Sequence, residues 1–265
     1  MGANCFLVEL GPFKLVIDCG INPKEMGMKA IPELHRLEGQ RIDLALVTHC
    51  HLDHLGALPL LFKQVPDVEI AMSIPSQMIF SRMLHNSVNV MKRQREEHYI
   101  KEYPLYSHDD IDLLAKHVFP LMFGKTKRLQ KDGEELEIIL HSSGHVVGAA
   151  GIELIYKHRR IFFTGDVLFT QQSILNGAKF PKQNVDTLVM ETTRGATEAD
   201  PYYNRNEEVK SLLECINNTL KGGGSVLIPV FAFGRMQEIM NLVHQARLRG
   251  DIPISPVFSS GLGMD

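Results

Sequence analysis

The sequence predicts an α/β protein with a β-rich first part and a shorter second part in which helices and strands alternate. In the first part, short apolar runs with β-branched residues end next to histidine or a carboxylate, as residues 42–47 do before a histidine cluster. In the second part, amphipathic helical patterns alternate with apolar strand patterns, an order that implies a parallel sheet.

The length and composition are those of a soluble globular protein: 265 residues, 44% hydrophobic and 22% charged. A formal net charge of −3, from 28 basic and 31 acidic residues, provides no overall attraction to nucleic acid. The four cysteines form no CxxC pair, which indicates reduced thiols and a cytoplasmic protein. The chain has no signal-peptide pattern and no apolar stretch approaching about 18 residues, so we predict that it spans no membrane.

The first part begins with a predicted hairpin. Residues 5–10 and 14–18 have apolar strand patterns, and Gly11 and Pro12 between them favour a tight turn. A long helix is predicted over residues 76–97, where methionines recur at helical spacing. The other predicted elements of this part are strands at 42–47, 69–72, 136–140, 149–156, 161–166 and 187–193, and helices at 31–37 and from residue 55.

The second part begins with a predicted amphipathic helix at 206–220, which three glycines at 222–224 terminate. A buried strand at 225–230, a second helix at 236–248 and another strand at 252–258 are predicted after it. This order predicts a parallel α/β sheet in the last part of the chain.

Four candidate metal ligands follow the strand at 42–47 within six residues: His49, His51, Asp53 and His54. Ligands so close in sequence cannot converge from one straight strand or helix face, so we predict a loop at the carboxyl end of the strand. Imidazoles with a carboxylate favour zinc, while iron and manganese fit the same ligands. A histidine-rich surface loop is the alternative, and the apolar strand before the cluster argues against it.

Two further candidate ligands, His145 and Asp166, each follow an apolar strand, so both can meet the first cluster at one edge of a sandwich. We predict two divalent metal ions. The first would be bound by His49, His51 and His145, the second by Asp53 and His54, with Asp166 bridging them. Asp18, at the end of the hairpin, is predicted to hold the ligand loop through hydrogen bonds, and a turn cap is its alternative role.

These residues resemble the metallo-β-lactamase superfamily over residues 2–193. The combination is specific and consists of Asp18, His49-x-His51-x-Asp53-His54, His145 and Asp166. The segments 143–150, 163–166, 191–195 and 223–235 are similar to the β-CASP branch of this superfamily. That branch contains RNA- and DNA-processing nucleases, including the pre-mRNA 3′-end cleavage endonuclease and ribonuclease J.

The resemblance implies an αβ/βα sandwich, the metallo-β-lactamase domain, at residues 1–195, and the first part of a parallel-sheet α/β (β-CASP) domain at 196–265. In the branch, this inserted domain forms a cleft for single-stranded nucleic acid. Glu191 matches the first signature carboxylate of the branch, which holds a later catalytic histidine. Two downstream histidines and the first strand of the branch have no counterpart here, so we expect a fragment truncated at both ends. His244 is predicted to be a helix-surface residue instead.

The predicted function is metal-dependent hydrolysis of single-stranded RNA phosphodiesters through a hydroxide that bridges the two metals. Asp53, Asp166 and Glu191 are the predicted catalytic residues, and the chain alone is expected to be weakly active or inactive. DNA is an alternative substrate. Hydrolysis of a small thioester or lactone, and a non-catalytic scaffold role in an RNA-processing complex, are alternative functions. The sequence leaves open whether the protein forms a homodimer or joins a processing complex.

Overall fold

A computed structural model describes residues 2–198 and 200–259, which divide into two compact units. The first unit contains the described residues up to Thr170 and the segment Gly177–Glu191. The second contains Gln171–Asn176 and the described residues from Thr192 onward. The domain boundary between residues 195 and 196 stays a prediction, and residues 260–265 of the predicted second domain lie outside the described residues.

The first sheet begins with the predicted hairpin. Strands β1 (Phe6–Leu10) and β2 (Phe13–Ile17) pair antiparallel, and Gly11 between them has a φ of 56°, which glycine adopts without strain. Strands β3 (Leu44–Leu46), β4 (Ile70–Ser73) and β5 (Val118–Leu121) then pair in parallel. The spatial order is β1-β2-β3-β4-β5, so β2, β3 and β4 end at the same edge.

The second sheet is mostly antiparallel. Strands β6 (Thr126–Lys131), β7 (Glu134–Ser142), β8 (Ala150–Tyr156) and β9 (Arg159–Phe163) pair in sequence order. Strand β10 (Thr187–Val189) adds in parallel to β9 and completes the order β10-β9-β8-β7-β6. The loops after β7 and β9 carry the two later candidate ligands.

The two sheets share one apolar core, because alternate side chains of each strand point inward. The core members from the first sheet include Leu15, Ile17, Leu44 and Leu46, and those from the second include Ile138, Leu140, Ile152 and Leu154. Each is at most 1% exposed, and burying such a side chain is worth roughly 1.5–3 kcal/mol. The predicted α/β sandwich is confirmed.

Helices cover the other face of the first sheet. They are α1 (Leu52–Leu55), α2 (Leu58–Gln64), α3 (Ile74–His98) and α4 (His108–Leu114), with 3-10 turns at Gly27–Ala30, Leu34–Leu37 and Ala115–His117. Helix α3 begins where Ser73 caps the Ser76 amide, and its buried side chains recur every three or four residues, as at Phe80, Leu84 and Val88. None of the helices in the described part of the chain has the length and apolar character needed to cross a membrane.

The second unit contains the two predicted amphipathic helices, α5 (Arg205–Lys221) and α6 (Arg235–Arg249). Asn204 caps α5 through bonds to the amides of residues 206 and 207, and α6 ends at a left-handed Gly250. A small core lies within this unit, formed by Leu213, Ile216, Ala246 and Ile252.

The predicted strands at 225–230 and 252–258 are wrong, because residues 200–259 form no strand ladder. Within these two segments, Leu227 is 92% exposed and Ile254 is 86% exposed. An apolar run indicates a strand that is buried between hydrogen-bonded neighbours. The described residues of this unit provide no such neighbours, so the pattern alone does not produce the parallel sheet.

Candidate metal centre

The six predicted ligands lie on loops that leave three strands of the first unit. His49 and His51 follow β3, and the short helix α1 directly after them carries Asp53 and His54. His145 follows β7 and Asp166 follows β9. The structure therefore brings together side chains that are more than 100 residues apart in the chain.

Three imidazole nitrogens and one carboxylate oxygen form the first side of the cluster. His51 Nδ1 lies 3.1 Å from His49 Nε2 and 3.2 Å from His145 Nε2. Asp166 Oδ2 lies 3.6 Å from His145 Nε2 and 3.9 Å from His49 Nε2. These spacings suit one ion, because two ligands at zinc–nitrogen distances on a tetrahedron lie about 3.3 Å apart.

The second side of the cluster is formed by His54 with two carboxylates. His54 Nε2 lies 3.3 Å from Asp166 Oδ1 and 3.8 Å from Asp53 Oδ2. Asp166 thus directs one carboxylate oxygen toward each side, which is the arrangement of a bridging ligand. The geometry matches the predicted grouping, while the binding of metal by each residue stays a prediction.

Asp18 lies behind His54 and organises the ligand loop. Its Oδ1 accepts the Thr48 amide at 2.7 Å, and its Oδ2 accepts the Thr48 hydroxyl at 2.8 Å and His54 Nδ1–H at 2.7 Å. Asp18 is 2% exposed and has a φ of 57°, a left-handed conformation that favours short polar side chains. These contacts fit the predicted hydrogen-bonding role.

Thr48 and Gly20 are two site residues that the sequence reasoning missed. The Thr48 hydroxyl also lies 3.1 Å from His49 Nδ1 and 3.2 Å from His54 Nδ1, so it contacts both sides of the cluster. A Cβ on Gly20 would lie 1.7 Å from the Asp53 carbonyl oxygen, so only glycine fits there. The available signals were a hydroxyl directly before the first ligand and a glycine two residues after a strand-end aspartate.

Two histidines on the first side are neutral at neutral pH. Burial lowers the pKa of His49 well below its usual range, and the imidazoles of His54, His51 and His145 lower it further. Burial, followed by the charge of His51, lowers the pKa of His145 to about 4, although Asp166 and Glu191 oppose this shift. Neutral imidazoles have the lone pair that a metal ion requires.

The second side behaves in the opposite way. Burial acts to lower the pKa of His54, yet the carboxylates of Asp18 and Asp166 overcome it and raise the pKa to about 10. Burial acts to raise the pKa of Asp166, and the bond and charge of His54 lower it below its usual value. In the absence of metal, His54 and Asp166 therefore form an ion pair.

Glu191 lies beside the loop that carries Asp166. Its Oε1 accepts the amide of Val167, the residue after Asp166, at 2.9 Å, and its own amide donates to Thr164 Oγ1 at 3.2 Å. Its charge acts on His145. The structure thus fixes Glu191 beside the Asp166 loop, and its predicted catalytic role stays a prediction.

The fold and the cluster define an α/β protein with a strand-end site built for metal ions. The sequence model of the metallo-β-lactamase superfamily matches residues 1–217, and the chain belongs to this superfamily. The superfamily uses divalent metal ions, and the donor set fits them, since it joins buried neutral imidazoles to ionised carboxylates.

Individual proteins with similar sequences indicate a branch within this superfamily. Transcription termination factor FttA of Pyrococcus horikoshii is 31% identical over an alignment 275 residues long, gaps included. The alignment covers 99% of this chain and 40% of that protein. FttA of Methanocaldococcus jannaschii is 31% identical with the same coverage. Endoribonuclease YSH1 of Kluyveromyces lactis is 29% identical, covering 96% of this chain and 34% of that protein. The chain spans at most 40% of the length of these relatives, and the similarity is consistent with the β-CASP branch.

Proposed function

We propose that the protein is a metal-dependent ribonuclease that cleaves phosphodiester bonds in single-stranded RNA. The observation that carries this proposal is the carboxylate of Asp166, whose two oxygens face the two sides of the cluster. Two ions held in this way form the site that many phosphodiester hydrolases use. The names of two relatives, a transcription termination factor and an endoribonuclease, support RNA as the substrate.

Six side chains would hold two divalent ions, zinc in the first instance, with manganese and iron as alternatives. They are His49, His51 and His145 on the first side, Asp53 and His54 on the second, and Asp166 between them. When bound, the ions supply charge for the non-bridging phosphate oxygens and lower the pKa of an attacking water.

The protein groups around the site then have separate tasks. Asp18 Oδ2 holds the Nδ1 proton of His54, which directs Nε2 of that ring toward Asp53 and Asp166. Asp53 and Asp166 are partly exposed, so their carboxylates can meet both solvent and substrate. We assign Glu191 the task of orienting the loop after Asp166, through its bond to the Val167 amide.

Cleavage of an end-labelled single-stranded RNA tests this proposal. The full-length protein with Zn²⁺ or Mn²⁺ is expected to cleave the RNA, whereas this chain alone is expected to be weakly active or inactive, and a chelator is expected to abolish cleavage. Asp166→Asn should lower the cleavage rate by about 10³-fold, since it removes the negative charge of the carboxylate that faces both sides of the cluster. Asp186→Asn is the matched control, because that aspartate is exposed, lies on no ligand loop and accepts the Arg160 amide.

Metal content measured on the same samples separates the alternatives. About two ions per chain with RNA cleavage supports the nuclease. Two ions with hydrolysis of a thioester or lactone, and without RNA or DNA cleavage, favours the small-molecule hydrolase. A protein that binds no metal and cleaves nothing favours the scaffold role, and either of the last two results contradicts the proposal.

A further inference from the structure

The first turn of α3 contacts the loop that follows His145. Ser73 Oγ donates to the carbonyl oxygen of Gly148 at 2.6 Å, and Ser76 Oγ donates to the same oxygen at 3.1 Å. Both serines are fully buried, so water does not compete for these bonds. The His145 loop is therefore attached to the start of this helix by two hydroxyl groups.

The same turn contacts the other ligand loop. Cys50, which lies between His49 and His51, donates its thiol to the carbonyl oxygen of Ser76 at 3.3 Å. Ser76 thus contacts both ligand loops, one through its side chain and the other through its main chain.

The packing at this junction leaves no free space. Gly148 has a φ of 82°, and a Cβ added there would lie 2.6 Å from Ser76 Oγ and 2.7 Å from the Ser76 amide nitrogen. A real Cβ cannot approach so closely. The loop after His145 is therefore held directly against α3, with no side chain between them.

We propose that Ser76 is a positioning residue of the metal centre, which fixes the loop carrying His145 relative to the loop carrying His49 and His51. The proposal rests on the proposed function, because it assumes that these histidines bind a common ion. His145 Nε2 and His51 Nδ1 must stay near their 3.2 Å separation to share that ion. Groups that orient ligands in this way strengthen metal binding without touching the metal.

Ser76→Ala tests the proposal, and Ser87→Ala is its matched control. Ser87 lies on the same helix, is 3% exposed, and bonds to the Leu84 carbonyl at 2.8 Å and to the Tyr106 hydroxyl at 2.5 Å. Each variant removes one buried hydroxyl from α3, so both should lower the thermal stability of the protein. Only Ser76→Ala should weaken divalent-metal affinity, by about tenfold or more in chelator competition. It should also shift the visible absorption spectrum of the Co²⁺-loaded protein.

A double-variant cycle tests the link between the loops. Cys50→Ala releases the His49–His51 loop from the Ser76 carbonyl, and Ser76→Ala removes one of the two hydroxyl bonds to the Gly148 carbonyl, leaving the bond from Ser73. If Ser76 fixes the two loops relative to each other, loosening the His145 loop should lower metal affinity only slightly once the His49–His51 loop is already free. The double variant should then lose less metal affinity than the product of the two single losses.

The outcomes separate this proposal from the proposed function. A full-length wild-type protein that binds metal but cleaves no RNA contradicts the nuclease and leaves the positioning role supported if Ser76→Ala still weakens binding. Equal metal affinities and Co²⁺ spectra for Ser76→Ala and Ser87→Ala overturn the positioning role alone. A wild-type protein that takes up no metal overturns both.

Discussion

His49 and His54 are buried histidines of one cluster, yet their pKa values move in opposite directions. His49 has three imidazoles around it, whereas His54 lies between the carboxylates of Asp18 and Asp166. The first side is therefore ready to bind a cation at neutral pH. The second side must first lose a proton, because only a neutral imidazole binds a metal ion. The two sides of the cluster thus differ in protonation, and two ions bound there would have different proton requirements.

The variant with the largest expected effect disrupts only the second side of the cluster. Gly20→Ala would place a Cβ 1.7 Å from the Asp53 carbonyl oxygen, so α1 must move with Asp53 and His54. We expect the first side to keep its ion, the second ion to be lost, and RNA cleavage to fall by about 10³-fold. Elemental analysis and the cleavage assay measure both effects.

The control for this variant is Gly222→Ala. A Cβ there would lie 3.4 Å from the Asn218 carbonyl oxygen, an ordinary contact, and the glycine has a negative φ. Full metal content and full cleavage are expected. Loss of both ions in Gly20→Ala would show that the two sides do not bind independently.

Much of this site could be predicted from the sequence, because it depends on local patterns. The His-x-His-x-Asp-His cluster and its strand lie within one short stretch, and His145 and Asp166 each follow an apolar strand. The two helices of the second unit were equally visible, since their apolar residues recur at helical spacing. The two-sheet sandwich, the first hairpin and these helices are confirmed.

Other features depend on contacts that no local pattern contains. Strand β6 alternates exposed and partly buried residues at a sheet edge, and two of its three partly buried residues are lysines, so it has no apolar run to reveal it. Helix α4 is only seven residues long, and it combines a capping box between Ser107 and Asp110 with the buried side chains of Ile111 and Leu114. The contacts of Ser76 and Cys50 join segments that are far apart in sequence, and the failed strand at 225–230 shows that an apolar run does not specify its partner.

A second test concerns the charge behind His54. Asp18→Asn removes the carboxylate that accepts His54 Nδ1–H, and breaking such a buried pair costs about 3–5 kcal/mol of stability. The pKa of His54 is raised to about 10 in the folded, metal-free protein, against about 6.5 in the unfolded chain. This stability is therefore fully present below about pH 6.5 and is lost as the pH rises through the folded value of about 10.

Urea unfolding of the metal-free protein between about pH 6 and pH 10 measures this dependence. The wild type should lose stability across the range, while Asp18→Asn should start lower and depend less on pH. The control variant Asp186→Asn, which changes an exposed aspartate directly before β10, should follow the wild type. A wild-type stability that stays constant over the range would contradict the raised pKa of His54.

The smallest expected effect is the most specific one, the number of protons released when metal binds. At about pH 6, His145 is neutral with its pKa of about 4, and His54 is protonated with its pKa of about 10. Filling the first side should release close to no proton from His49 or His145, and filling the second should release about one, from His54. Titration of the metal-free protein with Zn²⁺ in weakly buffered indicator solution counts these protons.

His54→Asn should abolish the release while metal still binds to the first side. If the first equivalent of metal already releases a proton, the second side, with His54 and its carboxylates, fills before the first side. The carboxylates of Asp18 and Asp166 would then attract a divalent ion more strongly than they retain the proton on His54.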